Sequence, residues 1–480
     1  MKKNKEHKGK RKKHIVGKVI CILQLIISIV LGAFLFSMKL LPTKFMLAVI
    51  VILLALFGFC FTWQFAGKIP RILSTILSVI LCASLALGTV YLQKANQLMA
   101  DVGGATYKTD NMIVVVKADD PAETLEDAAN YRFGIQTTLD QNNNNLMIED
   151  MEATLGRELM LIEHATIQEE AQALLDGKVE AIIYNEGFSG LIEDEIEDYS
   201  EQIKILYQYG IDTVIEDEDE DEKDVSKPFN VYISGIDVSG AITKNSRSDV
   251  NIVMTVNPIT KQIVLTTTPR DYYVEFHGIT GGQKDKLTHA GIYGVDVSMA
   301  TLEELYDTDI DYYARVNFTS LIKIVDALGG VVVDSEVAFS VAGYNFTKGV
   351  NHMNGEQALA FSRERHSFED GDRQRGKNQE AVLTAILEKA MSPAILKSAD
   401  KLIASVSDSV ETNMTRDEMA QLISMQLSDG ASWQIESQAA DGTGSTQKCF
   451  STGNSMLYVM YPDETTVAQI TEKLKSVMEE

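Results

Sequence analysis

Residues 248–271, SDVNIVMTVNPITKQIVLTTTPRD, decide the fold of the larger part of this 480-residue chain. Two runs rich in β-branched residues flank the short turn NPITK, a pattern typical of a β-hairpin. An apolar run precedes the hairpin at 229–237, helical patterns follow at 295–306 and 317–330, and VVVDS at 331–335 resumes strand character. Strands that alternate with helices in this way predict an α/β domain with α/β/α layers and a mixed central sheet.

A smaller α/β unit precedes this domain. Its apolar runs, each of which predicts a short strand, are MIVVVKA (112–118), RFGIQ (132–136), LMLIEH (159–164), AIIYNE (181–186) and IKILYQYGI (203–211). Helical spacing is present at 166–181. The layout resembles one lobe of an extracellular solute-binding protein, and we predict an accessory α/β domain over 105–215. A structural spacer is the alternative, because no ligand-binding constellation is evident.

Seven acids, EDEDEDE at 216–222, separate the two units. Their mutual repulsion favours an extended, solvated connection, so we predict a linker at 216–227 and the larger domain at 228–480. Calcium binding is the alternative interpretation, but the run lacks the glycine and the spaced ligands of a calcium loop.

Three uncharged apolar runs near the start predict three transmembrane helices within residues 15–98. The runs are Val19–Met38, Phe45–Ala66 and Ile72–Gln93, of 20, 22 and 22 residues. Each is long enough to cross a hydrocarbon core of about 30 Å. A cleaved signal peptide would have a shorter apolar core and would not be followed by two more spans.

The first fourteen residues, MKKNKEHKGKRKKH, contain eight Lys and Arg and one Glu. Cytoplasmic flanks carry such an excess, so residues 1–14 are predicted to be a cytoplasmic basic tail. With three spans, everything after about residue 95 is then outside the cell membrane. The chain is therefore predicted to be a multi-pass membrane protein with extracytoplasmic domains.

The net charge of −25 is unevenly distributed, because residues 1–100 carry +13 and residues 101–480 carry −38. A domain this acidic is a poor general polyanion binder, which argues against a nucleic-acid partner. Three of the four cysteines fall inside the apolar runs, so no disulfide framework supports the exterior. The seven histidines show no zinc-ligand spacing.

The stretch FSRERHSFEDGDRQRGKNQE, residues 361–380, gathers cations against this acidic background. Its basic residues are Arg363, Arg365, Arg373, Arg375 and Lys377. A solvated helix surface of mixed charge is one explanation. The other is an anion clamp, because guanidinium groups offer planar donors that fit phosphate oxygens in pairs. Spacing alone leaves both explanations open.

Further polar residues lie where the predicted strands begin or end. They are Asp237, Arg247, Asp249, Arg270 and Asp271. Loops at strand ends are where α/β sheets commonly build sites. Taken singly, each residue also has an ordinary explanation as a turn residue, an edge charge or a surface ion pair.

Four motifs together resemble the LytR-CpsA-Psr family. In chain order they are SRSD (246–249), TTTPRD (266–271), KLTHAGIYG (286–294) and ALAFSRERHSFEDGDRQRGKNQE (358–380). The resemblance covers about 229–390 and extends to the C-terminus. The three-span anchor and the accessory domain are most similar to the capsule-associated, CpsA-like branch of this family.

The resemblance implies a phosphotransferase. Such an enzyme moves a glycopolymer, here expected to be capsular polysaccharide, from a polyprenyl pyrophosphate carrier to peptidoglycan at the membrane, with capsule-synthesis proteins as further partners. A membrane-anchored sensor or regulator of wall or capsule synthesis is a second hypothesis. A pyrophosphatase that releases the lipid without a wall acceptor is a third.

By the same resemblance, the catalytic residues are Arg247, Asp249, Arg270, Arg363, Arg365 and Arg375, and the substrate-binding residues are Asp271, Lys286, Lys377 and Gln379. Asp237 and Asp249 would hold Mg²⁺ or Mn²⁺, which suits a few carboxylates plus phosphate oxygens. Many family members have Arg where this chain has Lys377, and a lysine supplies a point charge in place of a fork. Arg373 lies outside the matched pattern and is predicted to be at the surface.

The donor's long apolar tail requires an apolar cavity or groove. Candidate wall residues are Val231, Ile233, Ile252, Met254, Ile263, Leu265, Ile322 and Val325. Ordinary core packing is the alternative for every one of them.

Overall fold

The computed structural model describes residues 2–39, 41–102, 107–214, 223–236, 245–368, 371–392 and 410–479. The chain divides into two units. The first comprises Met1–Asp101 with Thr415–Ala431, and the second comprises Val102–Met414 with Ser432–Glu480. Residues 415–431 lie within the predicted domain 228–480, and their contacts group them with the N-terminal helices.

The first unit is entirely helical in the part of it that the structure describes. Its helices are α1 (Lys2–Ser37), α2 (Thr43–Trp63), α3 (Lys68–Val102) and, from later in the chain, α13 (Arg416–Asp429). The segments Ile15–Ser37, Thr43–Trp63 and Lys68–Lys94 are long and apolar enough to cross a membrane, which confirms the three predicted apolar helices. An ion pair of 2.9 Å between Lys39 and Asp417 joins α13 to the end of α1.

The accessory domain is a five-stranded mixed sheet with helices. Its elements are β1 (Tyr107–Lys117), β2 (Arg132–Gln136), α4 (Gln141–Leu155), β3 (Met160–His164), α5 (Ile167–Leu175), β4 (Ala181–Asn185), a 3₁₀ turn (Glu186–Phe188), α6 (Ser189–Glu193), α7 (Tyr199–Gln202) and β5 (Ile203–Val214). The strand order is β3-β2-β4-β1-β5, in which β2 runs parallel to both neighbours and β1 antiparallel to both. All five predicted strands are present. The helix predicted at 166–181 ends at Leu175, shortly before Gly177, which has a φ of +72°.

The larger domain is built on a six-stranded sheet. Its strands are β6 (Phe229–Ile236), β7 (Ser248–Asn257), β8 (Gln262–Thr267), β11 (Tyr312–Val316), β16 (Val410–Thr412) and β17 (Gln434–Ala439), in the order β16-β11-β6-β7-β8-β17. The predicted hairpin forms, with β7 and β8 antiparallel from Ile252 opposite Thr267 to Asn257 opposite Gln262. Because β11 runs parallel to β6 and β17 parallel to β8, the sheet is mixed, as predicted.

Helices and short strands complete this domain. They are β9 (Tyr273–Val274), β10 (Asp285–Lys286), α8 (Leu287–Tyr293), α9 (Val295–Tyr306), α10 (Phe318–Ala327), β12 (Val331–Ser335), β13 (Phe339–Val341), β14 (Tyr344–Phe346), β15 (Gly349–Met353), α11 (Gly355–Arg363), α12 (Gly371–Ala390), β18 (Gly442–Lys448), a 3₁₀ turn (Phe450–Thr452), β19 (Met456–Pro462) and α14 (Glu464–Glu479). The strand predicted at 331–335 forms, but it pairs with β15 in a separate two-stranded sheet.

The two faces of the central sheet are covered by different helices. On one face Tyr232 and Val253 belong to a buried cluster with Leu302 of α9 and Leu474 of α14. On the other side, α10, α11 and α12 share a second apolar cluster with β12. This arrangement gives the α/β/α layers that the sequence predicts, and it leaves room for a cavity between the sheet and the second group of helices.

Candidate functional site

A cavity of about 890 Å³ lies between the central sheet and helices α10, α11 and α12. Ile233 of β6 and Ile252 of β7 line it from the sheet. Ile322 of α10 and Leu383 of α12 line it from the helices. Its volume lies in the range of about 300–1,000 Å³ that is usual for small-molecule sites.

The five arginines that the resemblance makes catalytic, which we call the clamp arginines, all line this one cavity: Arg247, Arg270, Arg363, Arg365 and Arg375. The hairpin accounts for the first two. Thr268 N donates to Asn251 O at 2.8 Å just beyond the paired region, so the start of β7 and the end of β8 lie side by side. The other three arginines come from the end of α11, the residues after it, and the first turns of α12.

Asp249 lies among these cations. Arg270 Nη1 donates to its Oδ1 at 2.9 Å and to its Oδ2 at 3.0 Å, and Thr288 Oγ1 donates to Oδ1 at 3.1 Å. Burial opposes ionisation of this carboxyl, but Arg270, helped by Arg375 and Arg247, holds its pKa below the ordinary value. Asp249 is therefore a carboxylate at neutral pH, as a metal ligand or a partner of an arginine must be.

Arg363 and Arg365 each contact a ring. The Arg363 guanidinium lies 4.0 Å from the centroid of the Phe318 ring, and Arg365 Nε donates to His366 Nε2 at 3.4 Å. A ring beneath a guanidinium favours its planar orientation without removing its charge. The Arg363 guanidinium thus keeps the charge that an anionic ligand would need.

The cavity face of α12 changes from polar to apolar along its length. Arg375 and Gln379 line the cavity first, and Val382, Leu383 and Ile386 follow one to two turns later. Residues three or four apart share a helix face, which explains why these positions point the same way. At 1.5 Å per residue, the distance from Arg375 to Ile386 along the axis is roughly 16 Å.

Lys377 is not part of the cavity. It lies two residues from both Arg375 and Gln379, on a different face of α12, and its Nζ is 2.9 Å from Glu336 Oε2. Residues two apart on a helix do not face the same way, which explains why Lys377 is not in the cavity lining; its contact with substrate stays a prediction. Arg373 is about half exposed and pairs with Asp441, in agreement with its predicted surface position.

Asp271 and Lys286 also lie outside the cavity lining, and their contact with substrate stays a prediction. The Lys286 Nζ is 2.5 Å from Asp271 Oδ1, and the Asp271 side chain is buried. Both residues lie in a turn that Tyr272 N closes by donating to Pro269 O at 3.1 Å. Within it, Arg270 pairs with Asp249 in the cavity lining, while the Asp271 carboxylate pairs with Lys286. This pair supports the segment that carries Arg270.

Three of the eight predicted wall residues line the cavity: Ile233, Ile252 and Ile322. The others are not in its lining, and Val325, for example, is fully buried in the cluster of α10, α11 and α12. Further apolar residues complete the wall: Val250, Val316, Phe318, Leu321, Ile324, Leu359, Val382, Leu383 and Ile386. One end of the cavity is therefore cationic and much of the rest is apolar.

Sequence reasoning missed Asp194, which lies in the accessory domain and lines the cavity beside Arg247. It belongs to the acidic stretch IEDEIED, whose composition gave no sign of a site. Phe318 beneath Arg363 was also missed, because an aromatic residue at the start of a helix is ordinarily a core residue.

The fit of a divalent metal depends on two predicted ligands. Asp237 lies outside the described residues, while Asp249 lines the cavity as a carboxylate. Across the described ranges, no group of three His, Cys, Asp or Glu side chains is close enough to hold a metal ion. Mg²⁺ is commonly bound through one or two carboxylates plus substrate phosphates, so Asp249 fits as one protein ligand.

Comparison with known proteins gives relatives in wall-polymer chemistry. The polyisoprenyl-teichoic acid–peptidoglycan teichoic acid transferase TagU of Bacillus subtilis is 34% identical over 263 residues, which cover 54% of this chain and 82% of that protein. The same-named protein of Enterococcus faecalis is 36% identical over 198 residues, which cover 41% of this chain and 65% of that relative's length.

Among solved structures, B. subtilis TagV is 29% identical, with a TM-score of 0.45 and coverage of 53% of this chain and 98% of that one. B. subtilis TagU is 32% identical, with a TM-score of 0.42 and the same coverages, 53% and 98%. The LytR_cpsA_psr family model matches residues 199–476, which is more than half of the chain. The four motifs of the larger domain all fall within this match, and the chain belongs to the LytR_cpsA_psr family.

Proposed function

We propose that this chain is a membrane-anchored glycopolymer ligase that transfers a glycopolymer from polyprenyl pyrophosphate to peptidoglycan. One observation carries the proposal: a single cavity has five arginines in its lining, beside four acidic residues, and an apolar wall along much of the rest. A polyprenyl pyrophosphate has the matching chemistry, because a pyrophosphate head is joined to a long hydrocarbon tail. Arginine forks fit phosphate oxygens in pairs, and the apolar wall excludes water from the tail.

The polarity change along α12 supports one direction of binding. The pyrophosphate would lie near Arg375 and Gln379, and the first isoprene units near Leu383 and Ile386. The roughly 16 Å between these positions accommodates only the start of a long polyprenyl chain. The remainder would stay in the membrane to which the first unit anchors the protein.

The proposed reaction is a phosphoryl transfer. A hydroxyl oxygen of the peptidoglycan sugar attacks the phosphorus that carries the glycan, the bond from this phosphorus to the bridging oxygen breaks, and polyprenyl phosphate leaves. The hydroxyl proton passes to solvent or to the leaving phosphate. Negative charge grows on the leaving group as the bond breaks, and fixed guanidinium groups stabilise that charge in the transition state.

A divalent ion would add to this stabilisation. Asp237 and Asp249 would hold Mg²⁺ or Mn²⁺, and such an ion would neutralise charge on pyrophosphate oxygens. The Asp249 contact with Arg270 has a second role, because it holds that guanidinium at the cavity wall.

We further propose capsular polysaccharide as the glycopolymer and capsule-synthesis proteins as partners. The named relatives are teichoic acid transferases, and the match to the family model starts at residue 199. Most of the accessory domain and the three-helix anchor therefore lie outside the matched region. An anchor of three helices followed by an accessory domain resembles the CpsA-like branch, and this resemblance supports a donor other than teichoic acid.

Binding of two probes to the full-length protein in lipid nanodiscs tests the proposal. Geranylgeranyl pyrophosphate should bind more tightly than inorganic pyrophosphate, because its tail adds apolar burial. Leu383→Trp should weaken the binding of geranylgeranyl pyrophosphate and leave that of inorganic pyrophosphate unchanged. Leu387 is on the same helix but not in the cavity lining, so Leu387→Trp should change the binding of neither probe. Equal binding of the two probes would contradict a lipid role for the cavity.

A further inference from the structure

The accessory domain contacts the arginine cavity directly. Arg247 Nη1 lies 3.1 Å from both carboxylate oxygens of Asp194, the residue that follows α6. Asp194 is itself part of the cavity lining. Asp194 lies before residue 199, where the match to the family model begins, and it contacts the clamp arginine Arg247.

Gly190 of α6 supplies the other half of this contact. A Cβ placed on Gly190 would lie 2.8 Å from both Cζ and Nε of Arg247 and 3.0 Å from Nη2. The guanidinium therefore packs flat against the helix backbone, in space that any side chain would occupy. Gly190 and Asp194 thus both contact the Arg247 guanidinium, and we call these two residues the cradle.

Other contacts fix α6 relative to the larger domain. Asn245 Nδ2, two residues before Arg247, donates to Asp110 Oδ1 at 2.8 Å. Ile292 of α8 is buried in the accessory domain's own apolar cluster, and Phe188 packs edge-on against Tyr293 with ring centroids 6.0 Å apart. The accessory domain around the cradle is thus attached to the larger domain at Asn245 and at the end of α8.

We propose that the accessory domain is a component of the active site, in which Gly190 and Asp194 are positioning residues that orient Arg247 toward the pyrophosphate. This inference rests on the proposed function. A guanidinium held in place before substrate arrives loses less conformational freedom on binding, and its charge is aimed without reorganisation in the transition state. The alternative is that Asp194 competes with phosphate for Arg247. In that case, removing the Asp194 carboxylate would strengthen the binding of pyrophosphate.

Gly190→Ala is the sharpest variant. Alanine favours a helix over glycine, so folding should be maintained, but the new Cβ must displace the flexible end of Arg247. Misplacing a group by about 1 Å can reduce kcat/KM on the order of 100-fold, and we expect a loss of that size. Asp194→Asn should reduce it about tenfold, by weakening a charge-assisted contact. Glu193→Gln, an exposed acid next to Asp194, is the matched control and should leave the rate unchanged.

A double variant separates positioning from structure. In an Arg247→Ala background there is no guanidinium to displace, so adding Gly190→Ala should have no further effect on geranylgeranyl pyrophosphate binding or on residual transfer. An equal loss in both backgrounds would show a structural role for Gly190 and overturn the proposal.

Faster transfer or tighter binding of the probe in Asp194→Asn would also overturn the proposal, because it would show that the accessory domain inhibits the reaction. If the wild-type protein binds geranylgeranyl pyrophosphate but transfers no glycan, the proposed function fails. The effect of Gly190→Ala on probe binding in the two backgrounds still shows whether Gly190 positions Arg247.

Discussion

Arg270 donates from a single nitrogen, Nη1, to both carboxylate oxygens of Asp249, at 2.9 and 3.0 Å. The two residues are 21 positions apart in the chain, and the antiparallel hairpin of β7 and β8 brings them together at one end of the sheet. The hairpin is therefore both the centre of the fold and the support of the site. The pairing makes Asp249 and Arg270 a unit, in which loss of either member leaves a partly buried charge without its partner.

Asp249→Ala should abolish transfer while the protein still folds. The carboxylate lies at the mouth of a strand, not in the core, and its removal takes away both the partner of Arg270 and the proposed metal ligand. We expect at least roughly a 100-fold loss of rate, as for other preorganised electrostatic groups. Asp334→Asn, on β12, is the control. Full activity of Asp249→Ala, or of wild-type protein in a chelator, would exclude the metal role.

Arginine forks, not merely positive charge, should be required at Arg363 and Arg365. Each replacement by Lys keeps the charge but loses the bidentate contact, which costs about 2–4 kcal/mol in the transition state, or roughly 30- to 1,000-fold in rate. Arg373→Lys and Lys377→Gln should cost almost nothing, because these side chains pair with Asp441 and Glu336 outside the cavity. Melting temperatures measured in parallel would show whether a loss only follows unfolding.

Glu380 should make stability depend on pH. It is 6% exposed on α12, and burial raises the pKa of its carboxyl to about 7. The unfolded chain loses this proton near the ordinary value of about 4.5, so stability should decline as pH rises from there to about 7 and stay at the lower level above it. The full effect is on the order of 3 kcal/mol.

Glu380→Gln, a neutral mimic, should therefore raise the melting temperature at pH 8 more than at pH 5. The matched control is Glu388→Gln at an exposed position of the same helix, which should not change the pH profile. Denaturation curves at the two pH values measure the difference. An unchanged profile in Glu380→Gln would mean that the buried carboxyl does not titrate in this range.

The N-terminus should face the cytoplasm, and the domains after α3 should lie outside the membrane. The reason is that residues 1–14 contain eight basic residues and one acidic residue. A cysteine placed at the exposed Glu201 should react with a membrane-impermeant maleimide in intact protoplasts. Cys449 is an internal control that should not react, because it is 2% exposed and burial raises the pKa of its thiol to about 12. If Glu201→Cys is labelled only after lysis, the domains after α3 face the cytoplasm and the predicted topology is wrong.

Much of the site could be predicted from sequence where local pattern and chemistry coincide. The hairpin forms where its turn and β-branched flanks predict it. The arginines of the family motifs lie together in one cavity lining, and the period of a helix explains why Lys377 is not among them. Helix α4 could not be predicted, because four consecutive Asn residues are poor helix formers and the helix depends on burial of Met147 and Met151.

Other features depend on tertiary contacts that leave no local pattern. A cavity wall and a core have the same apolar composition, so Ile252 and Val325 look alike in sequence although only the former lines the cavity. Gly190 and Asp194 acquire their role through docking of one domain on another, which no spacing within either domain records.

Transfer from a defined polyprenyl-pyrophosphate oligosaccharide to peptidoglycan fragments tests the central claim most directly. The purified full-length protein should release polyprenyl phosphate and attach the oligosaccharide to peptidoglycan through a phosphodiester in equal amounts, and Arg363→Lys and Arg365→Lys should slow both products together. Release of polyprenyl phosphate without attached glycan would identify a pyrophosphatase. No reaction of the wild-type protein, or wild-type rates in both arginine variants, would contradict the assignment of the cavity as a ligase site.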